Sequence, residues 1–325
     1  MKEWGKMSKR KNTNKNTQKV IISIVATLIV IIAGVLGISN TEIQKVANQI
    51  GFGNIVNTTT TTTANTNGNT TNNVVADGNL TVYFIDVGQA DSILITNNNH
   101  NMLIDAGNNE DGEQVVNFIK NKGIKKLDYV VGTHPHEDHI GGLDDVINSD
   151  IQIEKVLMPK MQTNTKTFED VLDAIQNKGL KITAPKKGDT YTLGDASLEV
   201  MTDSIENKKN LNLSSITLLM KYGNNSFLFM GDAEKENEQT RQWPNVDVLK
   251  VGHHGSKTSS SQEFLNQTKP KISIIMAGAG NSYGLPKQEI LDRLNNIGSK
   301  IYRTDESGTI IIKSDGCNLS IESNK

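Results

Sequence analysis

The chain has 325 residues and a single cysteine, Cys317. No intrachain disulfide can form, and a cysteine-based zinc site is excluded. Strong charge of either sign is also lacking, since 34 Lys and Arg against 36 Asp and Glu leave a net charge of -2. From Asn79 onward the balance is acidic, with 26 basic and 33 acidic residues. That argues against a nucleic-acid binder relying on a broad positive surface. Hydrophobic residues reach 36% and charged residues 22%, which rules out a polytopic membrane protein and fits a globular domain diluted by polar filler. No internal repeat is present.

Only one long apolar run exists. Residues 20–38, VIISIVATLIVIIAGVLGI, carry no charge. At about 1.5 Å per residue they span roughly 28 Å, close to the bilayer core of about 30 Å. Lys2, Lys6, Lys9, Arg10, Lys11, Lys15 and Lys19 precede the run and almost no cations follow it. The positive-inside bias therefore predicts a basic cytoplasmic tail over residues 1–19 and a single-pass anchor over 20–38. A cleaved signal peptide is the rival, but its apolar region is usually about 7–15 residues and followed by a small-x-small site. The following SNTEIQKVANQ offers no such site. Residues 39–78 read as a linker, and six consecutive threonines begin at Thr58 within a Thr/Asn/Gly tract that has nothing to bury. Residues 79–325 then form the folded domain, expected on the extracellular side of the cell membrane.

Within that domain, residues 80–87, 92–96 and 101–104 read as strands joined by short turns, hence antiparallel. Residues 112–122 show helical spacing of Val115, Val116 and Ile119. Apolar strands at 127–131 and 153–158 are followed by a helix at 168–177. A second group of strands covers 197–201, 216–222 and 227–230. Strand and helix then alternate through 246–251, 261–267, 272–276 and 286–296, and strands close the chain at 300–303, 309–313 and 318–321. This order predicts an α/β fold of two mixed sheets packed face to face with helices outside.

Five of the six histidines fall in two short stretches, each directly after a predicted strand. The first is Thr133-His134-Pro135-His136-Glu137-Asp138-His139-Ile140-Gly141-Gly142. An extended loop can turn His134 and His136 to one side, with Asp138 and His139 slightly further along. Three imidazoles and a carboxylate within six residues suit a borderline metal such as zinc. The second is Lys250-Val251-Gly252-His253-His254-Gly255-Ser256. Asp105 and Asp232 each end an apolar run, so each emerges at a sheet rim. Asp232 suits the anion shared by two cations in a dinuclear site, or an N-cap of the following AEKENEQT. His100 stands apart in a turn and reads as an ordinary surface histidine.

HPHEDH matches the His-x-His-x-Asp-His motif of the metallo-β-lactamase superfamily. The stretches FIDVGQADSILI, LIDAG, THPHEDHIGG, FLFMGDAE, LKVGHHGSKTSS, GNSYGLP and YRTDESGTI resemble, in order, the hydrolase domain of ComEC-type DNA-uptake proteins and their stand-alone relatives. The resemblance implies an αββα metallo-β-lactamase sandwich, here preceded by one transmembrane helix, with one or two Zn2+ ions, or Mn2+, at a sheet edge. Carried over by motif, His134 and His136 would bind the first metal. Asp138, His139 and one of His253 and His254 would bind the second, and Asp232 would bridge them. Strand-Gly-His spacing favours His253 as that ligand, leaving His254 to donate to a phosphate oxygen. Asp105 and Ser215 would support the ligands from behind. Asp138 would hold a metal-activated hydroxide in line.

Two positions depart from the family pattern. Many members place a His before the strand corresponding to ITLLM, whereas residues 210–215 here have none. ComEC-type relatives share that His-less segment, which weakens the first metal site. Relatives commonly read NSYGHP where this chain has Leu285. The implied function is a membrane-anchored extracytoplasmic phosphodiesterase or nuclease acting on DNA or an envelope polymer. The alternatives are a hydrolase of another ester, such as a phosphocholine esterase, and a non-catalytic binding module on the same fold. The sequence implies no protein partner, and no DNA channel within this chain.

Overall fold

Fifteen strands divide into two sheets in the computed structural model, which describes residues 79–325. The first sheet has the order β15-β14-β1-β2-β3-β4-β5-β6. Its strands are β1 (Leu80–Phe84), β2 (Ser92–Asn97), β3 (His100–Ala106), β4 (Lys126–Val131), β5 (Gln152–Leu157), β6 (Ile182–Thr183), β14 (Ile310–Ser314) and β15 (Leu319–Ser323). The second sheet runs β13-β12-β11-β10-β9-β8-β7. It contains β7 (Thr190–Leu193), β8 (Ala196–Val200), β9 (Leu218–Tyr222), β10 (Asn225–Phe229), β11 (Val248–Lys250), β12 (Ile272–Ile275) and β13 (Lys300–Arg303).

Each sheet is antiparallel at one end and parallel at the other. The change falls at β3, which pairs antiparallel with β2 and parallel with β4. In the second sheet it falls at β10, between β9 and β11. The cause lies in the connections. Tight turns give antiparallel neighbours, while parallel neighbours need a crossover. Helix Gly112–Asn121 supplies the crossover from β3 to β4, and helix Gln262–Thr268 that from β11 to β12.

Alternation along the strands builds three apolar layers. Leu80, Val82 and Phe84 of β1 face Met220, Phe227 and Phe229 of the other sheet, with the Phe84 and Phe229 rings 6.4 Å apart. Leu94, Leu103 and Val130 point outward under Val115, Ile119, Phe168 and Val171 of the helices. On the far side, Leu228 and Leu249 pack under Phe264, Leu265, Ile290 and Leu294. The expected two mixed sheets with outer helices are therefore present.

Several elements depart from the sequence reading. Strands β6 and β7 and the short helices Glu137–Ile140 and Leu143–Asn148 were not anticipated, and β11 is half the expected length. The anchor at 20–38 and the linker at 39–78 lie outside the described residues. Among the described residues, no helix is long and apolar enough to cross a membrane.

Candidate metal centre

The first parallel pair of each sheet ends at the site. Asp105 is the last residue but one of β3 and the His134–His139 loop follows β4; Asp232 follows β10 and His253 and His254 follow β11. Ligand sites in such sheets gather beyond the carboxyl ends of the strands. Here two such ends, one from each sheet, meet at a common seam.

Asp105 ties the two strand ends of the first sheet together. It adopts a left-handed φ of 59°. Its carboxylate accepts from the Thr133 N–H and the Thr133 hydroxyl, each at 2.8 Å, and faces His139 Nδ1 at 2.8 Å. With Nδ1 donating there, His139 leaves Nε2 as its free electron pair. The loop then turns through Gly141 and Gly142 against the neighbouring backbone. A Cβ on Gly142 would stand 2.5 Å from the Ala106 carbonyl oxygen and 2.6 Å from Gly112 Cα. That approach is the reason the His run ends in two glycines.

Asp232 is buried at the centre. Its backbone N–H donates to the Ser215 hydroxyl at 3.2 Å, which anchors the main chain at this position. It does not cap the following helix, Lys235–Glu238, whose N-cap is Glu234. Four imidazole Nε2 atoms surround the Asp232 carboxylate. His139 lies 3.2 Å and His254 3.6 Å from Oδ1; His134 lies 3.9 Å and His253 3.7 Å from Oδ2. His136 joins the group through His134, their Nδ1 and Nε2 atoms 2.9 Å apart.

The ligand atoms of Asp138, His139, Asp232 and His254 lie within 4.8 Å of one another. Three of these atoms, His139 Nε2, Asp232 Oδ1 and His254 Nε2, are buried without a hydrogen-bond partner. Buried polar atoms are rarely left unpaired, because each costs about 1–3 kcal/mol. Orphans converging on one point, two nitrogens and one carboxylate oxygen with Asp138 beside them, fit a divalent cation of the zinc or manganese kind.

The group that gathers contains His254, not the His253 favoured by strand-Gly-His spacing. His254 is buried, its Nδ1 donates to the Met276 carbonyl at 2.9 Å, and its Nε2 lies 3.3 Å from Asp138 Oδ2. His253 is 24% exposed at its side chain and lies toward the cleft. The reason is local. Both residues have left-handed backbones, φ 49° and 51°, so the chain turns rather than continuing as a strand. His100 sits apart, as expected, near Asp128.

Electrostatics follow from crowding. Burial lowers His134 well below the ordinary imidazole range, and neighbouring His139 adds to that. Burial also opposes charge on His254, but Asp232 and Asp91 outweigh it and push its pKa up to about 10. His139 is raised well above its ordinary value in the same way, with Asp232 and Asp105 overcoming burial. Asp138 and Asp232 feel burial first, yet the imidazoles hold both carboxyls down.

Three residues near the site were not singled out from sequence. Asp91, between β1 and β2, is buried and holds Lys250 Nζ at 2.7 Å and His254 Nδ1 at 3.3 Å. Its N–H donates to the Asp138 carbonyl, and its own carbonyl accepts from Gly107. Lys250 is fully buried at the end of β11. Glu234 faces His253 Nδ1 at 3.2 Å. The cluster opens into a cleft of about 930 Å3, lined further by Asp86, Gln89, Glu110, Asp111, Tyr283 and Leu285. Tyr283 is 68% exposed at its mouth.

Residues 85–279 match the family model of the metallo-beta-lactamase superfamily. ComE operon protein 3 of Bacillus subtilis (strain 168) is 36% identical over 251 residues, covering 70% of this chain and 32% of the relative. Recombination protein 2 of Haemophilus influenzae is 29% identical over 236 residues, covering 70% of this chain and 28% of that protein. The chain thus spans about a third of the length of these relatives. A mutant form of CmlA beta-hydroxylase shares the fold at a TM-score of 0.50 and 14% identity, over 72% of this chain and 54% of that one.

Proposed function

Because the chain belongs to the metallo-beta-lactamase superfamily, with ComEC-like competence proteins among its relatives, we propose that it is a metal-dependent phosphodiesterase or nuclease held at the outer face of the cell membrane. The observation that carries this reading is the convergence of orphaned His139 Nε2, Asp232 Oδ1 and His254 Nε2 beside Asp138. We assign these four residues, with His134 and His136, to metal binding. Asp105 and Ser215 hold His139 and Asp232 in place.

When bound, a divalent cation supplies Lewis acidity, making water ionisable near neutral pH and offsetting charge on phosphoryl oxygens. Asp138, with a side chain 32% exposed at the cleft floor, accepts a proton from an attacking water and aims it. His253, at the cleft wall, donates to a substrate oxygen in the role the spacing argument gave to His254. The acidic lining of Asp86, Glu110 and Asp111 favours a second reading, a phosphodiester whose leaving group carries a cation, as in a phosphocholine-bearing envelope polymer. The tether rests on residues 20–38 and the cations before them.

The test offers the purified full-length chain a chromogenic phosphodiester, a single-stranded oligonucleotide, a phosphocholine ester and a β-lactam, each with added Zn2+ or Mn2+, beside elemental analysis. Cleavage of the first two supports the proposal, and of the phosphocholine ester the second reading. Cleavage of the lactam alone sinks both.

A further inference from the structure

Hydrophobic burial brings the two sheets together but has no direction of its own. A metal centre shared between them needs ligand atoms placed to a few tenths of an ångström. Some directional contact must therefore fix one set of strand ends against the other. The loop between β1 and β2, residues 85–91, makes such contacts across the seam. Gln89 Oε1 accepts from the Gly278 N–H, beyond β12 of the second sheet, at 3.1 Å. Asp91, two residues on, touches candidate ligands of both sheets.

The backbone of Asp91 belongs to the first sheet. Its N–H donates to the Asp138 carbonyl at 3.0 Å, and its carbonyl accepts from the Gly107 N–H at 2.9 Å, beside the strand end that carries Asp105. Its carboxylate is turned to the second sheet. Oδ2 lies 2.7 Å from Lys250 Nζ, and Oδ1 3.3 Å from His254 Nδ1. Alternation along β11 explains the lysine. Val248 joins the layer between the sheets while Leu249 and Val251 pack under the outer helices, so Lys250 aims inward.

The His254 Nδ1–H is given to the Met276 carbonyl at 2.9 Å, which leaves Asp91 Oδ1 buried with no hydrogen bond of its own. Buried polar atoms are seldom left so. The orphan oxygen stands as negative charge beside a ring whose other nitrogen, Nε2, is the orphan facing Asp138 and Asp232. A carboxylate behind a ligating imidazole fixes the ring and makes it a stronger electron-pair donor. We propose that Asp91 is a positioning residue for the metal centre: it sets His254, carried by the second sheet, against Asp138 and His139, carried by the first, and Lys250 is the counter-ion that holds it there. This rests on the metal-binding reading above.

Co2+ binding to the full-length chain tests this, with affinity measured by chelator competition and ligand geometry by the visible d–d spectrum. Asp91→Asn keeps the shape and the backbone contacts but removes the charge. It should bind Co2+ about 10–100-fold more weakly than wild type, with a shifted spectrum. Lys250→Met breaks the pair and should be the less stable in urea, and Asp91→Asn added to it should recover stability without recovering Co2+ affinity. Lys250→Met alone, which keeps Asp91, should bind Co2+ more tightly than that double variant. Affinity is thus expected to follow residue 91, and stability to follow whether the pair is matched. A double variant that regains both would overturn the proposal and leave the pair a scaffold only. So would wild-type affinity and spectrum in Asp91→Asn. A wild-type chain that binds no Co2+ overturns the metal-binding reading itself.

Discussion

Lys250 places its ammonium 2.7 Å from Asp91 Oδ2, with both side chains buried beneath the histidine cluster. The pair joins the second sheet to the loop between β1 and β2 of the first. The Lys250 ammonium also donates to the Val251 carbonyl at 2.9 Å, so it is not held by Asp91 alone.

Removing one partner of a buried pair strands the other as an uncompensated charge, at a cost of about 3–5 kcal/mol. Lys250→Met should lower unfolding free energy by that order in urea titration. Asp91→Leu added to it should recover part of the loss. Equal stability of Lys250→Met and wild type would show that the pair contributes nothing.

The pH dependence of stability should differ in sign with and without metal. In chelated protein, His254 at about 10 and His139, also raised, bind protons more tightly folded than unfolded. Their contribution is complete below about pH 6.5 and is lost as pH rises toward about 10. The melting temperature in excess chelator should therefore fall between pH 7 and 9.5. With saturating Zn2+ or Mn2+ it should rise over the lower part of that range, because metal and proton compete for the same Nε2 atoms. Parallel curves under both conditions would refute competition at these imidazoles.

Asp138 and Asp232 should separate kinetically. Asp138→Asn keeps the shape and removes the charge that aims water, so kcat should fall by about 10²–10⁴ with little change in KM. Asp232→Ala removes the shared anion and should lose bound metal outright. Elemental analysis beside the kinetics distinguishes the two.

Leu285 lines the cleft near exposed Tyr283. A histidine at that position would add a donor facing the substrate. Leu285→His is expected to raise kcat/KM on a phosphodiester by about tenfold, the gain from one added hydrogen bond of about 1.4 kcal/mol. An unchanged ratio would place residue 285 outside the substrate path.

Much of this arrangement is legible in the residues themselves. The short runs LTVYF and SILIT, rich in β-branched and other apolar residues and bounded by turns, mark strands, and His134 to His139 after KLDYVV marks a site at a strand end. Other parts are silent for physical reasons. Strand β6 has two residues and no period to read. Lys250 sits in an apolar strand, but lysine is almost never fully buried unless paired, and its partner is 159 positions away. Glu234 lies in the charged run AEKENEQT, which reads as a solvated helix face. The choice between His253 and His254 depends on two left-handed residues in succession, a backbone state that a His-His pair does not advertise.

Strand β1 lies between β2 and β14, with Leu80 opposite both Asn97 and Ser314. The first strand of the domain thus waits for a partner more than 220 residues downstream. During synthesis β1 and β2 can form a hairpin early, but the other edge of β1 stays open until residues 310–314 have emerged. Such long-range closure makes for slow folding and leaves a sticky apolar edge in the meantime. A chain cut short before β14 would keep every candidate ligand and still present that open edge, so its failure would appear as aggregation, not as a missing metal site.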